Sequence, residues 1–317
     1  VYPFQNLLHS IAVGFGVGTN AVIAIFLGSR KGDAASSAAS QGILLNLCHG
    51  LLFMVFGILF MRPFLDMFTS NETVISYGMQ YGIIVLCFSM IHTTELSFEK
   101  IFQSVGRMKT SMISLGSSCM INIILDPLLI FGIGPFPALG VAGAAVATVF
   151  AQMFVFILFI FAIRKRHPLY RGLKLAEPRP FQYYTQIIRI GLPLSLQDML
   201  FSCCSMLIAR FVAVYGDGAV AAQKVGTQVE SLSWMAADGF MAAINAFISQ
   251  NYGAGQLDRV KAGYRSIMKI VLVWGSLCTL LLVFLPGPIF RIFLNDDAVL
   301  PIGIDYLRIM GFSQLFM

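Results

Sequence analysis

Residues 111–134 of this chain read SMISLGSSCMINIILDPLLIFGIG, and Asp126 is the one charged side chain among them. A helix that crosses the hydrocarbon layer of a membrane needs about 20 mostly apolar residues. This stretch therefore predicts a membrane-spanning helix that carries an acidic group within the apolar layer.

The composition extends this prediction to the whole chain. Hydrophobic residues make up 57% of the 317 residues and charged residues only 11%, whereas a soluble domain carries about 25% charged residues. A soluble enzyme is excluded, because too few polar side chains remain to cover a water-exposed surface. We predict an all-α, polytopic membrane protein. Eight complete spans are predicted at residues 4–28, 43–61, 74–98, 111–134, 139–163, 186–213, 219–249 and 267–285, and a ninth begins near residue 299.

The basic residues are distributed unevenly among the connections between these spans. Most of the 21 Lys and Arg residues lie in the first, third, fifth and seventh connections. Short basic loops are retained on the cytoplasmic side of a membrane. We therefore predict a multi-pass protein of the plasma (inner) membrane whose odd-numbered loops are cytoplasmic.

The chain resembles itself at a single offset of 225 residues. Apolar composition alone does not place glycine, aspartate and proline in register, so an internal duplication is favoured over chance. The matched pairs include Gly28 with Gly253, Asp33 with Asp258, Pro63 with Pro288, and Tyr81 with Tyr306.

The duplication predicts two similar helical lobes. The matched stretches start on the same side of the membrane, so the repeats are parallel. We assign the amino-terminal lobe to residues 1–165, a basic cytoplasmic linker to 166–182, and the carboxy-terminal lobe to 183–317. Because the chain opens and stops inside apolar stretches, we expect a piece of a longer protein that lacks a first helix and the last helices.

Three polar residues in the fourth span form the sharpest candidate site. Ser118, Asn122 and Asp126 are four residues apart and share one helix face, and Pro127 removes a backbone donor beside them. Carboxylate, amide and carbonyl oxygens suit a proton or a small hard cation such as sodium. A structural aspartate at a loosened helix is the alternative. Thr148 in the fifth span either faces Asp126 or bonds the carbonyl four residues before it.

Two further polar stripes are candidate contacts for a transported cargo. Acidic groups beside an aromatic ring attract a lipophilic cation. The alternatives are a solvated ion pair at the helix end for Glu99 and an interhelical hydrogen-bond network for Glu230. The first stripe is His92, Glu95, Glu99 and Gln103, and the second is Glu230, Trp234, Asp238 and Asn245.

These segments resemble the multidrug and toxic-compound extrusion (MATE) family. Residues 121–132 read INIILDPLLIFG and residues 143–148 read GAAVAT, and the Asn-x-x-x-Asp-Pro pattern is the most specific part. Further similar stretches are residues 14–33, 190–193 and 238–255.

The resemblance implies twelve helices in two lobes, of which this chain carries helices two to ten. It also implies export of organic cations and other drugs in exchange for protons or sodium. Asn122, Asp126 and Thr148 match the family's coupling-ion cluster, while the first helix, which supplies a second aspartate, is absent. We expect no cofactor and no metal beyond a sodium ion at Asp126. We also expect contact with membrane lipids, no nucleic-acid partner and a monomer.

Two other functions compete with this one. Relatives in the same superfamily flip lipid-linked saccharides, but the acidic candidates here favour cationic cargo. An intramembrane enzyme is disfavoured, because the sequence has neither H-E-x-x-H nor G-x-S-x-G.

The charge distribution predicts that residue 171 is cytoplasmic and that residues 215–218 are external. In a background without native cysteines, Arg171→Cys should resist an impermeant maleimide on intact cells, whereas Asp217→Cys should react. Labelling after permeabilisation is the control that both thiols are reactive. Strong labelling of Arg171→Cys in intact cells would contradict the orientation.

Overall fold

The computed structural model describes residues 2–67, 71–163, 168–173 and 180–316, and every regular element in these ranges is a helix. The helices are α1 (Tyr2–Gly28), α2 (Gly32–Asp66), α3 (Glu72–Cys87), α4 (Ser89–Ser104), α5 (Met108–Phe131), α6 (Val141–Ile163), α7 (Pro168–Arg171), α8 (Gln182–Ala213), α9 (Asp217–Gly253), α10 (Leu257–Phe284), α11 (Pro286–Phe293) and α12 (Leu300–Ser313), followed by a 3₁₀ turn at Gln314–Phe316.

The predicted spans all fall on helices. Six helices, α1, α2, α5, α6, α8 and α10, are long and apolar enough to cross a membrane, and α3 with α4 qualifies as one bent span. The spans predicted at 219–249 and near 299 are helical but do not meet this test. The reason is that α9 carries Lys224, Glu230 and Asp238 along its length, and that α12 has only 14 residues.

Large apolar side chains cover the outer faces of these helices. On α5, Met112 is 67% exposed, Ile123 67% and Phe131 72%. A water-soluble protein rarely exposes apolar surface on this scale. The exposed faces are therefore suited to lipid, and the chain is a multi-pass membrane protein.

The third span breaks at Phe88, where α3 and α4 meet at an angle of 50°. Ser89 donates its hydroxyl to the carbonyls of Gly50 and Leu86, each at 2.8 Å. A Cβ on Gly50 would stand 2.8 Å from the Cα of Met90, so only glycine admits this approach of α2 to α4. The side-chain hydroxyl thus stabilises backbone groups at the break, as a membrane interior requires.

The chain forms two compact units. Unit 1 comprises Val1–Met199 with Tyr252–Gly255, and unit 2 comprises Leu200–Asn251 with Gln256–Met317. The lobe boundaries drawn from the sequence stay predictions.

Unit 1 has an aromatic core between α4 and α6. The rings of Phe102 and Phe159 stack with centroids 5.3 Å apart, and the ring of Tyr170 lies 5.2 Å from that of Phe102. Both phenylalanines are fully buried. Burial of such a side chain contributes about 1.5–3 kcal/mol to stability.

Part of the predicted linker packs on unit 1. Residues 166, 167 and 174–179 of the linker lie outside the described ranges, but Leu169 and Tyr170 of α7 are buried in the core of unit 1. Ser36 donates to the Leu169 carbonyl at 3.1 Å, and Gln41 donates to the Pro180 carbonyl at 3.0 Å. Two polar side chains of α2 therefore fix the ends of this segment.

Small residues bring α1 and α8 into backbone contact within unit 1. A Cβ on Gly14 would stand 2.6 Å from the Gly191 carbonyl oxygen and would collide with Ser195 Oγ. A Cβ on Gly18 would collide with the Ile187 carbonyl oxygen. Small residues four apart permit such close packing in membranes.

The helix boundaries repeat with the sequence offset. Helices α1 and α9 end at Gly28 and Gly253, and helices α2 and α10 begin at Gly32 and Leu257, so both boundaries recur after 225 residues. The halves differ at the repeated proline, since α2 continues through Pro63 whereas the helix breaks at Leu285 before α11.

Unit 2 has its own core around α11 and α12. Phe290 and Leu307 are fully buried there, with Leu282 and Val229 beside them.

The repeat supplies a matched pair of glycines with opposite surroundings. Gly14 lies against α8, whereas a Cβ on Gly239, its counterpart in α9, would meet nothing within 4 Å. Gly14→Ala should lower the free energy of unfolding by about 1–3 kcal/mol through overpacking. Gly239→Ala should be neutral or stabilising by up to about 1 kcal/mol through helix propensity. Thermal unfolding in detergent checks both, and equal melting temperatures for the two variants would contradict the packing described here.

Candidate functional site

Asn122 and Asp126 lie one turn apart on α5, as predicted. Oδ1 of each side chain is shielded from solvent and has no hydrogen-bond partner among the described residues. The helix runs through Pro127 to Phe131, so the proline does not end it, but its nitrogen cannot donate to the Ile123 carbonyl. Two unpaired acceptors at membrane depth are costly. A bound proton or small cation would satisfy them.

Helix α6 packs closely on α5 near this face. A Cβ on Gly143 would collide with the Leu129 carbonyl oxygen, so glycine permits the contact. The Thr148 hydroxyl donates to the Ala144 carbonyl at 3.0 Å, which is the second of the two arrangements considered for it. The threonine oxygen keeps its lone pairs for accepting, and its participation with Asp126 stays a prediction.

The row of polar residues on α4 divides into two environments. Glu99 is 7% exposed and accepts hydrogen bonds from Gln103 and, at 3.4 Å, from Lys100 Nζ. The predicted helix-end ion pair is therefore present but buried rather than solvated, because Ser111 of α5 and Asn20 of α1 bond to the α4 backbone around it.

Glu95 lies one turn before Glu99 on α4. Its Oε2 is shielded from solvent and has no hydrogen-bond partner among the described residues. A buried carboxyl without a partner marks a functional candidate, and its role as a cargo contact stays a prediction.

The second stripe, on α9, combines one buried residue with exposed ones. Glu230 is 8% exposed, and its Oε1 has no hydrogen-bond partner within the described chain. Trp234 is 40% exposed and lies 4.9 Å from the ring of Phe201. Asp238 is exposed and Asn245 is half-buried. The four side chains are thus on one helix but not in one environment.

A cavity of about 320 Å³ opens in unit 2 beside α9 and α10. Its wall is apolar apart from Lys269, and none of the four residues of the α9 stripe lines it. The lining residues are Phe240, Lys269, Ile270, Val273, Trp274 and Leu277.

Unit 1 contains a second cavity of about 320 Å³, next to the break between α3 and α4. Two imidazoles and a glutamine meet at its wall. His9 Nδ1 lies 3.4 Å from His92 Nε2, and His92 Nδ1 lies 3.2 Å from Gln152 Nε2. The polar lining residues are Gln5, Asn6, His9, Ser89, His92 and Gln152.

The sequence interpretation considered only His92 of this group. His9, His92 and Gln152 come from α1, α4 and α6, so no spacing rule joins them. The rule that polar side chains within apolar spans mark functional sites would have selected His9 and Gln152 singly, but not their meeting.

Comparisons with known proteins agree with this architecture. The MatE family model matches residues 1–128 and 193–317. The chain is 28% identical over 305 residues to an FAD transporter of Shewanella oneidensis, covering 94% of this chain and 66% of that protein. It is 28% identical over 321 residues to the probable multidrug resistance protein YoeA of Bacillus subtilis, covering 99% and 68%.

Solved structures share the fold. An outward-facing multidrug resistance MATE family transporter of the MOP superfamily superposes with a TM-score of 0.88 at 21% identity, covering 100% of this chain and 70% of that one. A MATE crystallised in complex with MaD3S gives a TM-score of 0.87 at 20% identity, covering 99% and 69%. The chain thus spans about two thirds of the length of the proteins it matches.

The relatives are named as transporters and not as enzymes, which agrees with the exclusion of an intramembrane enzyme. The family model covers most of the residues, and both the motif around Asp126 and the helical architecture agree with it. The chain belongs to the MatE family of membrane transporters.

Proposed function

We propose that the protein is a secondary active transporter that exports organic cations and other drugs in exchange for protons or sodium. The observation that carries the proposal is the pair of unpartnered oxygens, Asn122 Oδ1 and Asp126 Oδ1, in an apolar span. Multidrug resistance proteins among the relatives support the cargo class.

The coupling step is a change of charge on Asp126. A protonated carboxyl is neutral and tolerates tight packing of α5 against α6, while a carboxylate requires water or a sodium ion. Asn122 provides a second oxygen one turn away for either ion. A group whose charge favours one of two packings is sufficient to link an ion gradient to cargo release.

The remaining features of the transporter are part of the same proposal. Glu95 and Glu99 in unit 1, and Glu230, Trp234, Asp238 and Asn245 in unit 2, contact the cationic cargo. The protein acts as a monomer in the plasma membrane with its basic loops in the cytoplasm. Efflux of a fluorescent cation, with the pH and sodium gradients collapsed separately, identifies the coupling ion.

Flavin nucleotide transport is a second candidate. The Shewanella oneidensis relative is named an FAD transporter and aligns over 94% of this chain. FAD is anionic, so this candidate requires a cargo site that tolerates phosphate. Competition of unlabelled FAD with cation efflux separates the two cargoes.

Asp126→Asn keeps the side-chain size but cannot titrate. We expect the variant to fold and reach the membrane, and to lose gradient-driven efflux from vesicles that contain the intact protein. Asn122→Ala removes one ligand but not the charge, so efflux should fall about fivefold, as for the loss of one hydrogen bond.

The matched control is Asp258→Asn, which changes an exposed aspartate in the first turn of α10. This variant should retain wild-type efflux. Normal efflux by a well-expressed Asp126→Asn protein, with unchanged dependence on the gradient, would leave Asp126 a structural residue.

A further inference from the structure

The chamber in unit 1 has a fixed hydrogen-bonding polarity. The amide nitrogen of Gln152 can only donate, so His92 Nδ1, 3.2 Å away, accepts. The proton of a neutral His92 is then on Nε2, which donates to His9 Nδ1 at 3.4 Å. These two bonds hold the Gln152 amide in one orientation.

The same arrangement leaves one acceptor unused. Gln152 Oε1 is shielded from solvent and has no hydrogen-bond partner among the described residues, although Gln152 lines the chamber. An unsatisfied acceptor of this kind costs about 1–3 kcal/mol. A ligand that donates an N–H to this oxygen would recover that free energy.

The chamber wall also favours a flat, uncharged ligand. The rings of His9 and His92 stack with centroids 5.6 Å apart and planes inclined by 26°, and the exposed ring of His9 offers an aromatic face. No Asp, Glu, Lys or Arg is among the described residues of the lining, so a charged group would enter without a counterion. A volume of about 320 Å³ suits a ring system rather than a large conjugate.

We propose that this chamber binds the planar, uncharged heteroaromatic ring of a cargo, and that a lactam- or imide-type ring N–H donates to Gln152 Oε1. The proposal rests on the proposed function only in treating the ligand as cargo. Gln152 sets the specificity for the ring N–H, His9 stacks on the ring, and His92 positions Gln152.

Two ligands that differ by one methyl group test the contact. Lumiflavin carries an imide N–H and fluoresces, and 3-methyllumiflavin lacks that donor. With the purified protein in detergent, fluorescence titration should give a dissociation constant about tenfold higher for the methylated compound, as expected for one hydrogen bond to a buried acceptor. Equal affinities, or no saturable binding of either compound, would overturn the proposal.

A pair of glutamine variants tests the residue. Gln152→Leu should weaken lumiflavin binding about tenfold and leave 3-methyllumiflavin unchanged. Gln103→Leu is the matched control, because Gln103 is also in unit 1 and also has a shielded, unpartnered Oε1, yet does not line the chamber. Unchanged lumiflavin binding by a folded Gln152→Leu protein, or an equal loss in both variants, would contradict the assignment.

Thermal unfolding establishes that each variant is folded, and if Gln152→Leu does not fold, the two-ligand comparison on the wild-type protein decides. Binding is measured at equilibrium without a gradient, so its outcome is independent of transport. Lumiflavin binding without any gradient-driven efflux would contradict the proposed function alone. Cation efflux without lumiflavin binding would contradict the chamber assignment alone.

Discussion

The whole structure depends on the absence of water in the hydrocarbon layer, which obliges polar atoms to find partners within the protein. Unit 1 follows this rule across its helices. Asn46 donates to Ser97 at 2.6 Å between α2 and α4, and Asn20 donates to the Lys100 carbonyl at 3.0 Å between α1 and α4. Ser89 donates to the backbone at the break in the third span. These bonds join apolar helices that lipid would otherwise solvate equally well.

Against this background, the shielded oxygens without partners acquire functional meaning. Asn122 and Asp126 present two such oxygens on one face of α5, and Gln152 presents another at the wall of a chamber. An ion at the first site and a ring N–H at the second would each complete the bonding. An unpartnered atom alone is insufficient, since both nitrogens of His49 also lack partners where its ring contacts Phe15 and Phe53.

The sequence predicted what periodicity and composition determine. The helices, the repeat of 225 residues, and the shared face of Asn122 and Asp126 follow from local spacing along one chain. Tertiary contacts were not predictable in this way. The break at Phe88 has no proline to announce it and depends on the approach of Gly50 to α4. The burial of Glu99 depends on neighbouring helices, and the meeting of His9 with His92 joins residues 83 positions apart.

The central claim is that the carboxyl of Asp126 takes up the coupling ion, and infrared difference spectroscopy on the purified protein tests it most directly. The C=O stretching band of a protonated carboxylic acid should appear at low pH and disappear at high pH. If sodium is the coupling ion, adding sodium at fixed pH should also remove the band. The account predicts that Asp126→Asn abolishes this band. The same band, unchanged in the Asp126→Asn protein, would contradict the account.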